Sequence, residues 1–400
     1  MVKKKICLVT VFFGEWPWYF DFFLKSCSYN LSIDFLIFSD LNKPTCAPQN
    51  VKFIQKTLDD ISEVINAKLG LKIKFNSPYK LCDIKPSYGL LFSENLSNYD
   101  FWGHCDIDLI FGNIRGFITE DLLNTFDIIS VRHDYPSGFF MLYRNSPKIN
   151  SLFKESKDYV KVFSSQKHYC FDECNFQHNA IFKGSSVFDT EAEIESMMHV
   201  IKRGEREGRI KPYFDFCVFE GLPGGIQMNK GVLSYKNEYE ILLYHFFSLK
   251  SNSYYIFPKW TTIPETFFIE KHGFSKHSRF SLMGIITHSI IRLRIGTRKM
   301  KLKLLVQVSK LTRPYLNKHL HKTEQIGTYF RDNRLIKVFL KGNQLYVKQG
   351  KFDLELKISP LLFIPNLFIE PVSGNTFRFN QKSLRLLRKD GQEEVFKKAN

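Results

Sequence analysis

Asp106 and Asp108 stand two residues apart in the run Phe101-Trp102-Gly103-His104-Cys105-Asp106-Ile107-Asp108-Leu109-Ile110-Phe111-Gly112, an acidic step inside an apolar stretch. On a strand, residues i and i+2 face the same way, so the two carboxylates would converge. Carboxylates among buried apolar neighbours need a cation beside them or an exposed strand end. A divalent metal meets that need. Two hard oxygen donors suit Mg²⁺ or Mn²⁺, which keep open positions for the phosphate oxygens of a substrate.

Three further groups carry chemistry. Just upstream, Tyr79 to Gly89 mixes Lys80, Asp83 and Lys85 with aromatic residues; a lysine there can pair with phosphate while a carboxylate accepts from ribose or base. Between His168 and His178, two cysteines and two histidines invite zinc, but Cys170-x3-Cys174 followed by a single close histidine is not a finger layout. In the same stretch Asp172 and Glu173 are candidates to position or deprotonate an acceptor hydroxyl, or else an acid pair at a helix start. His245 lies in the apolar run Tyr239 to Lys250. It reads either as a satisfied core histidine or as a nitrogen ligand to the metal, with Lys250 meeting a phosphate.

These groups need a scaffold, and the first hundred residues describe one. Ile6 to Phe13 is a continuous apolar strand; Phe20, Phe23, Leu24 and Cys27 recur at helical spacing; Ile33 to Phe38 is a second strand, ending at Ser39-Asp40. Val51 to Ile54 is a third, and Thr57 is placed to cap a helix with the stripe Leu58, Ile61, Ile65 and Leu69. Alternating strand and helix predict an α/β fold with a mostly parallel sheet flanked by helices. Ligands bind such sheets outside the carboxyl ends of the strands, where Asp40 and the Asp106/Asp108 pair both fall. Downstream, Phe126 to Val131 and Phe139 to Tyr143 read as strands, Pro147 to about Phe163 as helical, and Tyr239 to Lys250 as a helix-like segment.

Composition sets the partner class. Across 400 residues, 44% hydrophobic with 16% aromatic content is enough to bury a large core, which excludes disorder, and the formal charge of +17 implies an anionic partner. Ten of those charges lie between Arg292 and Lys322, where no acidic residue occurs and apolar residues interleave. That pattern predicts a basic amphipathic helix on an anionic membrane surface. A nucleic-acid-binding protein would spread its basic residues over a binding face, so nucleic acid is not the expected partner. From Gly327 the pattern changes to period two, with Phe352, Leu354, Leu356 and Ile358 alternating with charged residues and turns expected at 342–343, 374–375 and 390–391. This predicts a small antiparallel β module. The eight scattered cysteines fit a reducing compartment, Lys3 to Gly14 reads as a buried strand rather than a signal peptide, and no run is long enough to span a bilayer.

Taken in order, Val9 to Gly14, Leu36 to Asp40, Tyr79 to Pro86, Asp100 to Asp108 and Leu142 to Asn145 resemble the bacterial polysaccharide-biosynthesis glycosyltransferases of the GT-A type, in particular a family long carried as a domain of unknown function. The resemblance covers roughly residues 5 to 250. It implies a GT-A-like domain over 1–275 and leaves outside it the basic helical segment, 276–325, and the β module, 326–400, which composition and period set apart. It implies that Asp106 and Asp108 hold Mn²⁺ or Mg²⁺ on the diphosphate of a nucleotide-sugar, a UDP-sugar first among them, and that His245 completes the metal site. Lys85, with Asp40, Asp83 and Lys250, would meet the donor; Asp172 and Glu173 would lie on the acceptor side. The expected activity is transfer of a sugar to a glycan or lipid-linked glycan in surface polysaccharide biosynthesis, in the cytoplasm at the inner face of the cell membrane. A metal-dependent phosphohydrolase or nucleotidyltransferase would use the same carboxylates.

Overall fold

The computed structural model describes residues 3–215, 217–221, 224–247, 258, 260–271, 273–287, 289–297 and 300, and in the C-terminal part 327–331, 334–341, 344–349, 355–357, 359–360, 367–369, 376–380, 383–387 and 393–398. Lys250, most of the basic stretch after Arg294 and the three expected turns lie outside these residues. Two compact units are present: Met1–Glu220 with Gly225–Phe246 and Trp260–Thr266, and Gly221–Gly224 with Phe247–Lys259 and Phe267–Asn400.

The first unit begins as the sequence predicts. Strand β1 (Ile6–Val11) leads through helix α1 (Phe20–Ser28) to β2 (Ile33–Ser39) and β3 (Val51–Gln55), and α2 (Leu58–Leu69) follows. The start of α2 is a reciprocal cap: the Asp60 amide donates to Thr57 Oγ1 at 3.1 Å, and the Thr57 amide donates to Asp60 Oδ2 at 2.6 Å. Then come β4 (Phe101–Cys105), β5 (Leu109–Phe111), β6 (Ile128–Ser130), β7 (Phe140–Arg144) and β8 (Pro212–Phe214). Seven of these strands form one sheet in the order β3-β2-β1-β4-β7-β6-β8. The pairs among β3, β2, β1 and β4 are parallel, as is β6 with β8, whereas β7 runs antiparallel to both of its neighbours.

Both faces of this sheet are covered, which is why β1 and β2 read as unbroken apolar runs rather than alternating ones. Cys7 and Val9 point with Trp102 and Tyr143 toward Ile61 and Ile65 of α2. Ile6 and Leu8 point the other way, with Phe101, toward Phe20, Phe23 and Leu24 of α1. Each phenylalanine so removed from water contributes about 2–3 kcal/mol.

Two corrections concern the middle of the chain. The stretch from Pro147 breaks into three short helical pieces, Pro147–Asn150, Leu152–Glu155 and Tyr159–Ser164. The helix-like segment after Tyr239 is instead strand. Past β9 (Val218–Glu220), strands β10 (Ile226–Asn229), β11 (Val232–Tyr235) and β12 (Tyr239–Glu240) make an antiparallel meander, and β13 (Leu243–His245) enters a small sheet between β5 and β9. All three residues of β13 are buried. A short apolar run covered on both faces does not reveal its period, so its partners decide between helix and strand.

In the second unit, residues 282–287 and 289–297 are helical. The period-two tail forms an antiparallel sheet of nine strands among the described residues, its first strand Gly327–Arg331 paired with its last, Glu393–Lys398. One face is apolar: Ile336, Val338, Phe377, Phe379, Leu384 and Leu386 are buried together with Tyr329. Among the described residues no helix is long and apolar enough to cross a membrane.

Candidate active site

The parallel strands place the site. β1 has β2 on one side and β4 on the other, so the order of the parallel strands reverses between β1 and β4, the switch point at whose carboxyl ends open α/β sheets form a ligand crevice. Thr10 Oγ1 donates to the Cys105 carbonyl at 2.7 Å and ties the two strand ends together there. Asp106 follows at once.

Asp106 and Asp108 are not strand residues. They occupy the link between β4 and β5, where the chain leaves the large sheet for the small one. The Asp106 amide donates to the Phe139 carbonyl at 3.0 Å, and the Phe246 amide donates to the Asp108 carbonyl at 3.2 Å, so each residue is anchored to a different neighbour. Their carboxylates consequently meet different partners. Asp106 Oδ1 accepts from Lys85 Nζ at 2.6 Å, and Asp108 Oδ2 lies 3.4 Å from His245 Nε2.

Lys85 comes from a 3₁₀ run over Pro78–Ser87 and also donates to the Gly138 carbonyl at 2.5 Å. Burial opposes its charge, but Asp106 and Asp172 more than offset that cost and hold the ammonium well above the usual lysine pKa. It is a fixed positive charge at the crevice.

His245 is held from both sides. Its Nδ1 lies 3.0 Å from Glu220 Oε1, and the Phe139 ring packs on it with centroids 4.3 Å apart. Glu220 is in turn paired with Arg132, which grips Asp134 through Nε and Nη2 at 2.9 and 2.8 Å. A file of alternating charges thus runs Asp134, Arg132, Glu220, His245, Asp108. Burial works against the imidazolium, but Asp108 and Glu220 outweigh it and raise the pKa to about 9. That shift sets a testable sign. A histidine with folded pKa near 9 and unfolded pKa near 6.5 stabilises the metal-free fold fully below pH 6.5, and the contribution disappears as pH rises through 9. His245→Gln is expected to remove that slope, worth on the order of 3 kcal/mol between the two limits. Denaturant unfolding at pH 6 and pH 9.5, in chelator, measures it; equal slopes in both proteins would contradict the arrangement.

Asp172 and Glu173 sit side by side with their pKa values shifted in opposite directions. Burial, reinforced by the Glu173, Asp83 and Asp106 carboxylates and only partly offset by Lys85, pushes Asp172 well above the usual carboxyl range. Burial acts on Glu173 too, but His178, Cys170 and the Gly138 amide overcome it and lower its pKa. Asp172 therefore holds a proton more readily than an ordinary carboxyl, and Glu173 less readily. Both pack on Gly138, where a Cβ would come within 2.6 Å of Glu173 Oε1 and 2.9 Å of Asp172 Oδ2. Only glycine allows that approach.

Of the residues singled out from sequence, the fold brings Lys85, Asp106, Asp108 and His245 into direct pairs and sets Asp172 beside Lys85. Asp40 is exposed after β2, and its carboxylate shares no hydrogen bond or ion pair with them among the described residues. Asp83 is corrected. It is fully buried, and its oxygens accept from Lys80 Nζ at 2.7 Å and from the Tyr169 and Phe171 amides at 3.0 and 2.8 Å, with His168 at 3.2 Å. With those partners it is a brace for the 168–171 segment and cannot reach a donor. Glu173, engaged by His178 and the Gly138 amide, is no free base either. Sequence reading missed Glu220, Arg132 and Gly138. Only the turn-forming Pro136-Ser137-Gly138 offered a signal; Glu220 and Arg132 lie far from the acidic step in sequence.

A family model described as a family of unknown function (DUF6625) matches residues 8–277. The chain belongs to that family. The match takes in the large sheet from the third residue of β1 and the small sheet that carries His245, and it ends before Arg292 and the β tail. Among solved structures, mouse xyloside xylosyltransferase 1 in its apo form is similar over 61% of this chain and 97% of that one, at 11% identity and a TM-score of 0.31. No curated protein matches the chain.

Proposed function

We propose that this chain is a metal-dependent glycosyltransferase that moves a sugar from a nucleoside diphosphate sugar, a UDP-sugar first among candidates, to a glycan or lipid-linked glycan acceptor. One observation carries the reading: at the switch point of a sheet ordered 3-2-1-4, two carboxylates each face a cationic side chain, Lys85 on Asp106 and His245 on Asp108. Such an edge suits a diphosphate.

The residues fit a hard divalent cation in part. Asp108 Oδ2 and His245 Nε2 face each other as an oxygen and a nitrogen donor, and Glu220 behind the ring orients it, as carboxylates commonly do for ligating histidines. Asp106, turned to Lys85, forms no preassembled three-donor cluster with them. Asp108 and His245 would hold Mn²⁺ or Mg²⁺, which when bound neutralises charge on the departing diphosphate. Lys85 supplies a second positive charge on the same edge, already fixed and desolvated. Asp172 would be the carboxyl that hydrogen-bonds the acceptor hydroxyl. Where the reaction inverts the anomeric centre, Asp172 would have to give up the proton that burial favours before taking the hydroxyl's, a loss the Lys85 ammonium assists.

The test is a panel of nucleotide-sugars with Mn²⁺. Release of nucleoside diphosphate, lost in EDTA and restored by Mn²⁺ or Mg²⁺, is expected. Release of inorganic phosphate or pyrophosphate would favour a phosphohydrolase or nucleotidyltransferase on the same carboxylates, and full rate in EDTA would overturn the metal dependence.

The same reading sets the enzyme against the inner face of the cell membrane. Its support is the helical stretch after Ser281, where Leu282, Met283, Ile286, Ile290 and Leu293 are 45–74% exposed, with Arg292 and Arg294 also exposed beside them. Solvent-facing apolar side chains next to basic ones suit an anionic bilayer surface. Pairing Leu282→Glu with Leu293→Glu is expected to weaken co-sedimentation with phosphatidylglycerol vesicles by about 10-fold or more, and raised salt should weaken it in the unaltered protein. Equal sedimentation of the two proteins would contradict the membrane role, and preference for RNA over vesicles at matched salt would favour nucleic acid.

A further inference from the structure

The stretch from Cys170 to His178 folds back on itself, with Cys170, Asn175 and Phe176 in the left-handed region at φ 54°, 51° and 63°. This turn brings three side chains of different chemistry to one point. Cys170 Sγ lies 3.1 Å from Glu173 Oε2 and 3.7 Å from His178 Nε2, and those two atoms are 2.6 Å apart. Among the described residues it is the one group of three cysteine, histidine or carboxylate donors assembled within 4.8 Å. The four-residue set suggested by sequence is not what assembles: His168 turns to Asp83, and Cys174 packs with Ile181, Val187 and Met198.

We propose that Cys170, Glu173 and His178 form a second cation site, selective for Zn²⁺ and distinct from the Asp108/His245 pair. The distances support it. Tetrahedral zinc, with bonds of about 2.0–2.3 Å to sulfur, nitrogen and oxygen, sets its donors roughly 3.3–3.6 Å apart. The two sulfur distances, 3.1 and 3.7 Å, lie within a few tenths of an ångström of that spacing, and the histidine–glutamate contact at 2.6 Å must open by roughly 0.7–1 Å. A thiolate with an imidazole selects Zn²⁺ over Mg²⁺ or Mn²⁺.

The surroundings suit a ligand set as well. The other oxygen of Glu173 accepts from the Gly138 amide at 2.8 Å, which fixes the carboxylate as outer partners of metal ligands do. The His178 ring packs on Tyr135 with centroids 4.8 Å apart. Cys170 is buried while the Glu173 and His178 side chains are 20% and 34% exposed, so an ion enters from the solvent side and meets the thiol last. Binding forms the sulfur–metal bond and releases the thiol proton to solvent. Three protein ligands leave a fourth position open. The bound ion would clamp the turn that carries Asp172, one residue from Glu173, against Gly138. The proposal does not rest on sugar transfer.

Its test uses the full chain, stripped of metal and titrated with Co²⁺ and then Zn²⁺. A thiolate-to-cobalt charge-transfer band that Zn²⁺ displaces at one equivalent is expected. Cys170→Ser should abolish the band, His178→Ala should weaken Zn²⁺ binding roughly 10- to 100-fold or more, and Asp108→Asn should leave both unchanged. Absence of the band in the unaltered protein overturns the proposal whatever the variants do. So does a band that survives Cys170→Ser, or Zn²⁺ binding that is lost in Asp108→Asn and kept in His178→Ala.

Discussion

Asp108→Asn is expected to lower donor turnover on the order of 10³-fold, the size of effect seen when a single group that stabilises transition-state charge is removed. Asp108 is 6% exposed in its side chain and faces His245, so the amide keeps the shape of the site while removing the charge that any cation there would need. A thermal melt run beside the activity assay separates chemistry from folding. His245 loses the Asp108 carboxylate in this variant but keeps Glu220 at 3.0 Å. The melting temperature should therefore move by only a few degrees. Unaltered turnover in a folded Asp108→Asn protein would remove the central residue of the proposed site, and with it the glycosyltransferase reading as argued.

The largest effect on stability is expected from Asp83→Ala. Lys80 and Asp83 form an ion pair with side chains 1% and 0% exposed, and removing one partner of a buried pair typically costs about 3–5 kcal/mol because the other charge is left uncompensated. Asp83 does more than pair. Its oxygens also take the Tyr169 and Phe171 amides, so the alanine variant strands two backbone donors as well. Lys80→Met should cost less, since those donors keep their acceptor. Denaturant unfolding of both variants ranks them, and a smaller loss for Asp83→Ala than for Lys80→Met would contradict the bracing role. The sign with pH also follows. Burial raises the Asp83 pKa, but His168 and Lys80 outweigh it and lower the net value, so the stabilisation is present above the carboxyl's unfolded pKa and is lost as pH falls through its folded one.

Membership of a family without an assigned function makes the site, rather than the family, the basis of the functional argument. Within that site the two acids following Cys170 divide their work. Asp172 lies beside Lys85 with its pKa raised by burial, whereas Glu173 is engaged by His178 and Cys170. The two carboxylates thus meet at Gly138 and differ in their remaining partners, Lys85 beside Asp172 and the His178 and Cys170 side chains at Glu173.

What the sequence by itself determined is the scaffold and the acidic step. The unbroken apolar runs of β1 and β2, the stripe of α2 and its Thr57 cap are local patterns, and each was readable because backbone period and capping chemistry depend on near neighbours. The period-two tail was readable for the same reason. The tertiary structure alone decided which charge meets which. Lys85 and Asp106 are 21 residues apart, Glu220 and His245 are 25 apart, and Arg132 is 88 residues from Glu220. No local pattern encodes such pairs; they form where the sheet order brings strand ends together. The same applies to Asp83, which looks like a surface acid in sequence and becomes a buried brace once the 168–171 segment closes over it. It applies equally to β13, whose short apolar run has no period of its own and takes its form from β5 and β9 on either side.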